Sequence, residues 1–217
     1  MKVDLFKTKD GSHTLYRQDL NEYYHSIHGA IQESQHVYIN SGLKCISKPI
    51  ISVFEMGFGT GLNTILSLIE AEKTNKILIY DSIEKFPLTP GTISILNYPY
   101  LLPPEYREEF FAIHHGKWNE KLHFKNMQLT KIMDDFLNYE FTNCYDLIYY
   151  DAFGPEKQPE LWSAEIFHKI FNAANVGGIL MTFSVKGEVR RALNQAGFIT
   201  EKLTGPPGKK QILKARK

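Results

Sequence analysis

Short apolar runs alternate with longer amphipathic stretches from about residue 50 to the end of the chain. The runs have the length and the β-branched content of buried strands, and they lie at 51–56, 76–84, 124–130, 146–150 and 179–185. The stretches between and after them have helical periodicity, at about 60–73, 104–114, 163–175 and 186–195. Strands that alternate with helices predict an α/β fold with a doubly wound, mostly parallel sheet.

The two ends of the chain depart from this alternation. Residues 198–203 and 211–215 flank Gly205-Pro206-Pro207-Gly208, which predicts a closing antiparallel hairpin. Before the alternation begins, residues 13–17 form a predicted strand and residues 29–40 a partly helical segment. We expect one domain, 1–217, in which 1–48 is a cap or substrate region and 49–217 is a Rossmann-like core.

Three glycines follow the first strand of the core at alternate positions, Gly57, Gly59 and Gly61. A dinucleotide fingerprint needs glycine at position 62, which is Leu62 here. With Glu55 two residues before the first glycine, the pattern resembles the first motif of class I S-adenosylmethionine methyltransferases. A glycine-rich turn of another doubly wound protein remains the alternative at this point.

Two carboxylates end later strands of the predicted sheet. Glu84 closes the second strand, 23 positions after Gly61, where an acid suits a pair of ribose hydroxyls. Asp151 closes the fourth strand and is followed by Phe153-Gly154-Pro155. A carboxylate at this edge can hold an amine and accept its proton, and an aromatic face can hold a cation or a base. The alternatives are a solvated acid at Glu84 and a turn cap at Asp151.

Longer motifs give a more specific resemblance over nearly the whole chain. They are DGSHTLY, YYHSIHGAIQESQHVYI, EMGFGTGLN, IEKFPL, DAFGPEKQPELW, GGILMTFSVKGEVRRALNQAGF and GPPGKKQIL. With these motifs the chain resembles the MnmC-type methyltransferases of the tRNA wobble uridine. That family converts 5-aminomethyl-2-thiouridine to 5-methylaminomethyl-2-thiouridine with S-adenosyl-L-methionine. The chain departs from the family pattern at Gln158, where Asn is expected, and after the third strand, where Gly-Asp is expected.

The resemblance implies roles for individual residues. The cofactor would be bound by Glu55, Gly57, Phe58, Gly59, Gly61, Asn63, Glu84, Lys85 and Asp151. The catalytic group would be Asp151, Phe153 and Pro155, which would border the point of methyl transfer. Because many relatives carry a flavin-dependent oxidase domain, a separate oxidase could act in the same pathway.

Charge is balanced overall and uneven along the chain. The net charge is +1, but residues 185–217 hold nine Lys or Arg against two Glu. If tRNA is the partner, this end suits its phosphates, with Arg190, Arg191, Lys209 and Lys210 as the predicted contacts. For Arg190, a salt bridge from its helix to the core is the alternative.

Cysteine usage and hydropathy bear on the compartment. Cys45 and Cys144 have no metal-ligand spacing and are predicted to be buried free thiols of a reducing compartment. With no apolar run of membrane-spanning length and no predicted metal site, we expect a cytoplasmic enzyme that works without a membrane or a metal.

These observations favour a methyltransferase that acts on the aminomethyl group of the tRNA wobble uridine. Two alternatives remain at the level of sequence. One is an amino-methyltransferase for a small molecule or a protein. The other is a non-catalytic nucleoside-binding partner of a tRNA-modifying oxidase.

Overall fold

The computed structural model describes residues 2–217, and its first elements form a small antiparallel sheet. The strands, in spatial order, are β1 Val3–Lys7, β2 His13–Arg17 and β3 Glu22–Tyr23. A helical segment follows, made of α1 Ala30–Ser34, the π-helical Gln35–Asn40 and the 3-10 turn Leu43–Cys45. The strand predicted at 13–17 and the helical segment predicted at 29–40 are confirmed.

A second sheet of eight strands organises the rest of the described chain. Its strands are β4 Ile50–Met56, β5 Ile77–Glu84, β6 Lys121–Phe124, β7 Met127–Met133, β8 Tyr145–Tyr150, β9 Ala174–Thr182, β10 Ile199–Thr204 and β11 Gln211–Arg216. Their spatial order is β10-β11-β9-β8-β4-β5-β7-β6. The five strands β9, β8, β4, β5 and β7 are parallel to their neighbours in this group, and β6, β10 and β11 pair antiparallel. The predicted doubly wound sheet with a C-terminal antiparallel hairpin is confirmed.

Helices connect these strands. They are α2 Leu62–Thr74, α3 Pro90–Ser94, α4 Tyr98–Leu101, α5 Arg107–His115, α6 Ala164–Ala173 and α7 Gly187–Gln195, with 3-10 turns at Pro104–Tyr106 and Pro159–Trp162. Two of them begin at side-chain caps, because Thr89 and Ser163 accept hydrogen bonds from the backbone N–H three residues later.

The helices cover both faces of the sheet, and β8 shows how. Leu147 and Tyr149 pack into the cluster that contains the N-terminal segments, α2 and α5. Ile148 and Tyr150 pack into the cluster that contains α6 and α7. Every residue of β8 is buried, as expected of a central parallel strand covered on both faces.

Three local predictions are wrong. The strand predicted at 124–130 is split, because Phe124 ends β6 and the chain turns at 125–126 before β7. Strand β9 begins at Ala174, before the glycine pair at 177–178, and α6 ends correspondingly earlier. Cys45 and Cys144 are exposed, because Cys45 ends the 3-10 turn Leu43–Cys45 and Cys144 lies in the connection between β7 and β8. No helix within residues 2–217 has both the length and the hydrophobicity needed to cross a bilayer.

Candidate active site

The glycine turn between β4 and α2 has a backbone that other residues would strain. The φ angles of Gly57, Gly59 and Gly61 are 95°, 49° and 69°. A Cβ on Gly57 would lie 2.9 Å from the carbonyl oxygen of Asp151, and one on Gly61 would lie 2.8 Å from Nε2 of His114. Glycine at these positions therefore lets the turn pack against β8 and α5 while its outer side stays open to a ligand.

A cavity of about 450 Å³ lies above this turn, at the carboxyl ends of the parallel strands. Its walls include residues 22–27 of the N-terminal region, the glycine turn, residues 83–86 after β5, residues 134–137 after β7 and residues 151–154 after β8. Open α/β sheets bind ligands at this edge. The cavity is therefore the candidate site, and the N-terminal region supplies one of its walls.

Glu84 holds the turn from the end of β5. Its Oε2 accepts a hydrogen bond from the backbone N–H of Gly59 at 3.1 Å, and its Oε1 accepts one from Phe86 at 2.8 Å. Each oxygen keeps a further lone pair for a ligand hydroxyl. The neighbouring Lys85 points its ammonium to Asp135, at 2.7 Å from Oδ2.

Asp151 lies across the cavity from Glu84's strand, at the end of β8. Its Oδ1 accepts a hydrogen bond from the Tyr38 hydroxyl at 2.6 Å, and its Oδ2 accepts one from Nδ2 of Asn63 at 2.8 Å. Burial raises the pKa of Asp151 to about 6, and the charge of Glu33 raises it further, while the two hydrogen bonds and Lys209 oppose the increase. At neutral pH the group is therefore mostly a carboxylate, held in place and able to accept a proton.

Aromatic side chains form much of the remaining wall. The rings of Tyr24 and Phe153 meet edge to face with centroids 5.1 Å apart. The guanidinium of Arg17 lies between Phe153 and Phe86, at 5.5 and 5.6 Å from the ring centroids. These rings can stack on a base or face a cation at the mouth of the cavity.

Two neutral histidines hold Thr60 within the glycine turn. His25 Nε2 lies 2.7 Å from the Thr60 hydroxyl, and His114 Nε2 donates to the Thr60 carbonyl at 3.1 Å. Burial lowers the pKa values of both imidazoles to about 4, so both are uncharged at neutral pH. The turn is thus fixed from the N-terminal region on one side and from α5 on the other.

The structure brings most of the predicted site residues to the cavity. Its walls include Gly57, Phe58, Gly59, Asn63, Glu84, Lys85, Asp151, Phe153 and Lys209. Sequence reasoning missed Tyr24, Glu33, Tyr38 and Thr60, which come from the N-terminal segments and from the turn itself. A signal existed for the first three, because they belong to the motif that begins with Tyr23.

Six predicted residues do not line the cavity. Glu55 is fully buried behind the glycine turn, where its Oε2 accepts hydrogen bonds from Thr64 and Ser82. Gly61 faces α5 at the end of the glycine turn, and Pro155 is buried within the connection between β8 and the 3-10 turn Pro159–Trp162. Arg190, Arg191 and Lys210 are exposed away from the cavity walls, and Nε of Arg190 donates to the Thr200 hydroxyl at 3.3 Å.

Comparison with known proteins identifies the family of this chain. A family model described as S-adenosyl-L-methionine-dependent methyltransferase matches residues 103–217, which is more than half of the chain. The chain belongs to this methyltransferase family. The predicted class of S-adenosylmethionine-dependent methyltransferase, the fold class and the cofactor are thereby confirmed.

Individual relatives of this methyltransferase match over most of its length. It is 31% identical over 215 residues to the tRNA 5-methylaminomethyl-2-thiouridine biosynthesis bifunctional protein MnmC of Azoarcus sp. (strain BH72), covering 94% of this chain and 34% of that protein. The protein of the same name from Pseudomonas fluorescens is 28% identical, with 89% and 32% covered. The methyltransferase therefore spans about a third of the length of the curated relatives it matches.

Solved structures agree on the fold. The crystal structure of MnmC2 from Aquifex aeolicus matches with a TM-score of 0.82 at 25% identity, covering 99% of this chain and 70% of that one. Spermidine synthase from Thermotoga maritima matches with a TM-score of 0.57 at 13% identity, covering 100% of this chain and 72% of that one, and shows the fold alone.

The residues of the cavity fit S-adenosylmethionine. The glycines leave space above the turn that side chains would fill, and Glu84 presents carboxylate lone pairs where the ribose hydroxyls of a nucleoside would lie. Asp134 and Asp135, which also line the cavity, supply acceptors after β7 although the expected Gly-Asp pair is missing. Within residues 2–217, no group of three or more His, Cys, Asp or Glu side chains is arranged to hold a metal ion.

Proposed function

We propose that this methyltransferase transfers the methyl group of S-adenosylmethionine to the primary amine of 5-aminomethyl-2-thiouridine at the tRNA wobble position. The names of the two MnmC relatives, which refer to tRNA 5-methylaminomethyl-2-thiouridine biosynthesis, suggest the substrate class. The observation that carries the proposal is the carboxylate of Asp151, held by Tyr38 and Asn63 at the cavity wall beside the glycine turn.

The first task of the site is to bind and deprotonate the amine. A primary alkylamine is mostly protonated at neutral pH and has no lone pair in that form. The carboxylate of Asp151 attracts the ammonium, orients one N–H bond and accepts or relays its proton. Tyr38 and Asn63 keep the carboxylate oxygens fixed while this happens.

The second task is alignment of the neutral amine. S-adenosylmethionine, when bound, supplies an electrophilic methyl group on a sulfonium sulphur. Glu84 and the glycine turn would hold its nucleoside, while Phe153 and Tyr24 would hold the uracil ring and exclude water. The amine nitrogen would then bond to the methyl carbon, and the thioether would leave with the electron pair of the carbon–sulphur bond. The proton taken from the amine passes to solvent.

The proposal also covers the binding partners of the protein and its cellular compartment. The bound tRNA would meet the exposed basic residues Arg190, Arg191 and Lys210, and a separate flavin oxidase could supply the aminomethyl precursor. With tRNA as substrate, we infer that the protein works in the cytoplasm. The division into a cap at 1–48 and a core at 49–217 also remains a prediction.

The test is single-turnover methylation of hypomodified tRNA, followed by mass spectrometry of the wobble nucleoside. Asp151→Asn keeps the size of the side chain and loses its charge, so we expect turnover to fall about 10²-fold. Asp4→Asn, which changes an exposed carboxylate of β1, is the matched control and should keep the wild-type rate. Raising the pH should partly restore Asp151→Asn, because more of the amine is then neutral.

Each alternative predicts a different result. If the free aminomethyl nucleoside or another small amine is methylated and tRNA is not, the protein is a small-molecule methyltransferase. If tRNA binds and no methyl group is transferred, the protein is a non-catalytic partner. Near wild-type rates in Asp151→Asn would mean that Asp151 does not act as the proton acceptor.

A further inference from the structure

The side chain of Lys209 lies in the cavity wall, although the sequence predicts it as a surface contact to tRNA. Its ammonium nitrogen is 2.6 Å from Oε1 of Glu33 and 4.2 Å from the ring centroid of Phe183. All three residues line the same cavity as Asp151. The ammonium is thus held by a carboxylate and an aromatic face inside the candidate active site.

Glu33 can accept more than it does in this arrangement. Its side chain is only 9% exposed, and its Oε2 accepts a hydrogen bond from the backbone N–H of Ser26 at 2.7 Å. Among residues 2–217 no group donates a well-directed hydrogen bond to Oε1, which Lys209 contacts as a charge. A buried carboxylate oxygen with unused acceptor capacity favours a donor that is better aligned.

The pair is electrostatically coupled to Asp151. The negative charge of Glu33 raises the pKa of Asp151, and the positive charge of Lys209 lowers it. A cation bound at Glu33 therefore acts on the proposed proton acceptor. This is the neighbourhood in which a substrate amine has to arrive.

The side chain of Lys209 can also leave the cavity wall. Its side chain is 30% exposed, and it extends from the loop between β10 and β11. The loop keeps its own backbone hydrogen bonds, from Lys209 N to Pro206 O at 2.9 Å and from Gly205 N to Lys210 O at 3.0 Å. The side chain can therefore swing into solvent without unfolding the hairpin.

We propose that Glu33 and Phe183 form a binding site for the primary ammonium group of the substrate, and that Lys209 occupies this site until the substrate displaces it. A carboxylate with an aromatic face recognises an alkylammonium by charge and by cation–π attraction. The identity of the amine as an aminomethyl uridine rests on the proposed function. The existence of the ammonium site rests on the contacts of Glu33, Phe183 and Lys209 alone.

The first experiment uses tRNA, and the proposal predicts that KM changes in opposite directions in two variants. Lys209→Ala removes the competing ammonium, so KM for hypomodified tRNA should fall, by about tenfold if Lys209 fills the site nine-tenths of the time. Glu33→Gln removes the charge that binds the amine, so KM should rise about tenfold or more. Lys209→Gln is the second variant if Lys209→Ala folds poorly, and its KM should also fall.

Several results would overturn the proposal. A KM that rises in both Lys209 variants would mean that the ammonium contacts tRNA, as the sequence predicts. If Lys209→Ala and Glu33→Gln lose stability and activity in parallel, the ion pair only stabilises the fold. Cofactor affinity, measured by calorimetry, should be unchanged in both single variants.

The second experiment needs no tRNA. n-Propylammonium should raise the melting temperature of Lys209→Ala by filling the vacated site, and 1-propanol should not. The melting temperature of the control variant Lys202→Ala, changed at an exposed position on β10, should not respond to n-propylammonium. The double variant Glu33→Gln/Lys209→Ala should not respond either. A propylammonium response without tRNA methylation would leave the ammonium site standing and refute only the proposed substrate. No response in Lys209→Ala would refute the site even if tRNA is methylated.

Discussion

Glu55→Gln should stabilise this protein at neutral pH. Glu55 is fully buried behind the glycine turn, and burial raises its pKa to about 8, although hydrogen bonds from Ser82 and Thr64 oppose the increase. The folded protein therefore holds Glu55 mostly protonated at pH 7, whereas the unfolded chain has it ionised. Glutamine is neutral in both states and avoids this proton uptake.

The magnitude follows from the difference between the two pKa values. Each pKa unit corresponds to about 1.4 kcal/mol, and pH 7 lies about 2.5 units above the ordinary glutamate pKa of 4.5. The free energy of unfolding should therefore rise by on the order of 3 kcal/mol in Glu55→Gln at pH 7. This holds if the amide oxygen keeps the bonds from Thr64 and Ser82 and the amide N–H meets the Tyr80 hydroxyl that faces Glu55.

The sign of the pH dependence is also fixed. A carboxyl group whose pKa is raised on folding stabilises the folded state fully below the unfolded pKa and loses this contribution as the pH rises through the folded pKa. Wild-type stability relative to Glu55→Gln should therefore fall between about pH 4.5 and pH 8 and then level off. Urea unfolding of both proteins at several pH values measures the difference directly.

The same variant tests the role that the family resemblance implies for Glu55. Because Glu55 does not line the cavity, calorimetric affinity for S-adenosylmethionine should stay within about twofold of wild type. A glutamine variant that is less stable at pH 7, or a stability difference that does not change with pH, would refute the burial argument. A large loss of cofactor affinity in a stable variant would mean that Glu55 does contribute to cofactor binding.

Three further predictions concern charges elsewhere. Glu84→Gln should weaken cofactor binding by on the order of 2 kcal/mol in calorimetric titration, because the ribose hydroxyls lose a charged acceptor, and an unchanged affinity would remove Glu84 from the site. Arg190→Ala and Arg191→Ala should raise KM for tRNA and flatten its salt dependence without altering cofactor affinity, whereas unchanged salt dependence would place the tRNA elsewhere. Burial lowers the pKa of Lys131 to about 8 from 10.5, so wild-type stability should rise relative to Lys131→Met between these pH values; a flat difference in urea unfolding would contradict this.

The parts of the site that follow from local pattern could be predicted from the sequence. Gly57 and Gly59 were recognisable because a strand that turns sharply into a helix needs backbone angles that favour glycine. Glu84 and Asp151 were recognisable because Glu84 ends an apolar strand, Asp151 directly follows another, and parallel strands end at one edge of the sheet. These predictions needed only short-range periodicity and one topological rule.

The partners of these groups could not be predicted in the same way. The two donors to Asp151 are Tyr38 and Asn63, which are distant in sequence and belong to the N-terminal segment and to α2. Their positions depend on how the N-terminal sheet and helix pack against the core, which periodicity does not specify. The placement of Glu55 has a simpler cause, because side chains alternate along β4 and Met56 lines the cavity while Glu55 lies on the opposite side.

Lys209 shows why counting charge along the chain misreads a basic segment. The count for residues 185–217 treats each lysine and arginine as a free surface charge, whereas the charge available to tRNA depends on partners that fold in from other segments. Glu33 reaches Lys209 from α1, so this lysine is neutralised at the cavity wall, while Lys210 beside it is exposed. Two neighbouring residues of one type therefore have different electrostatic roles. On the proposed function, the phosphate-binding surface would lie among the exposed members of the segment, and Lys209 in the cavity wall would act in the binding of the amine.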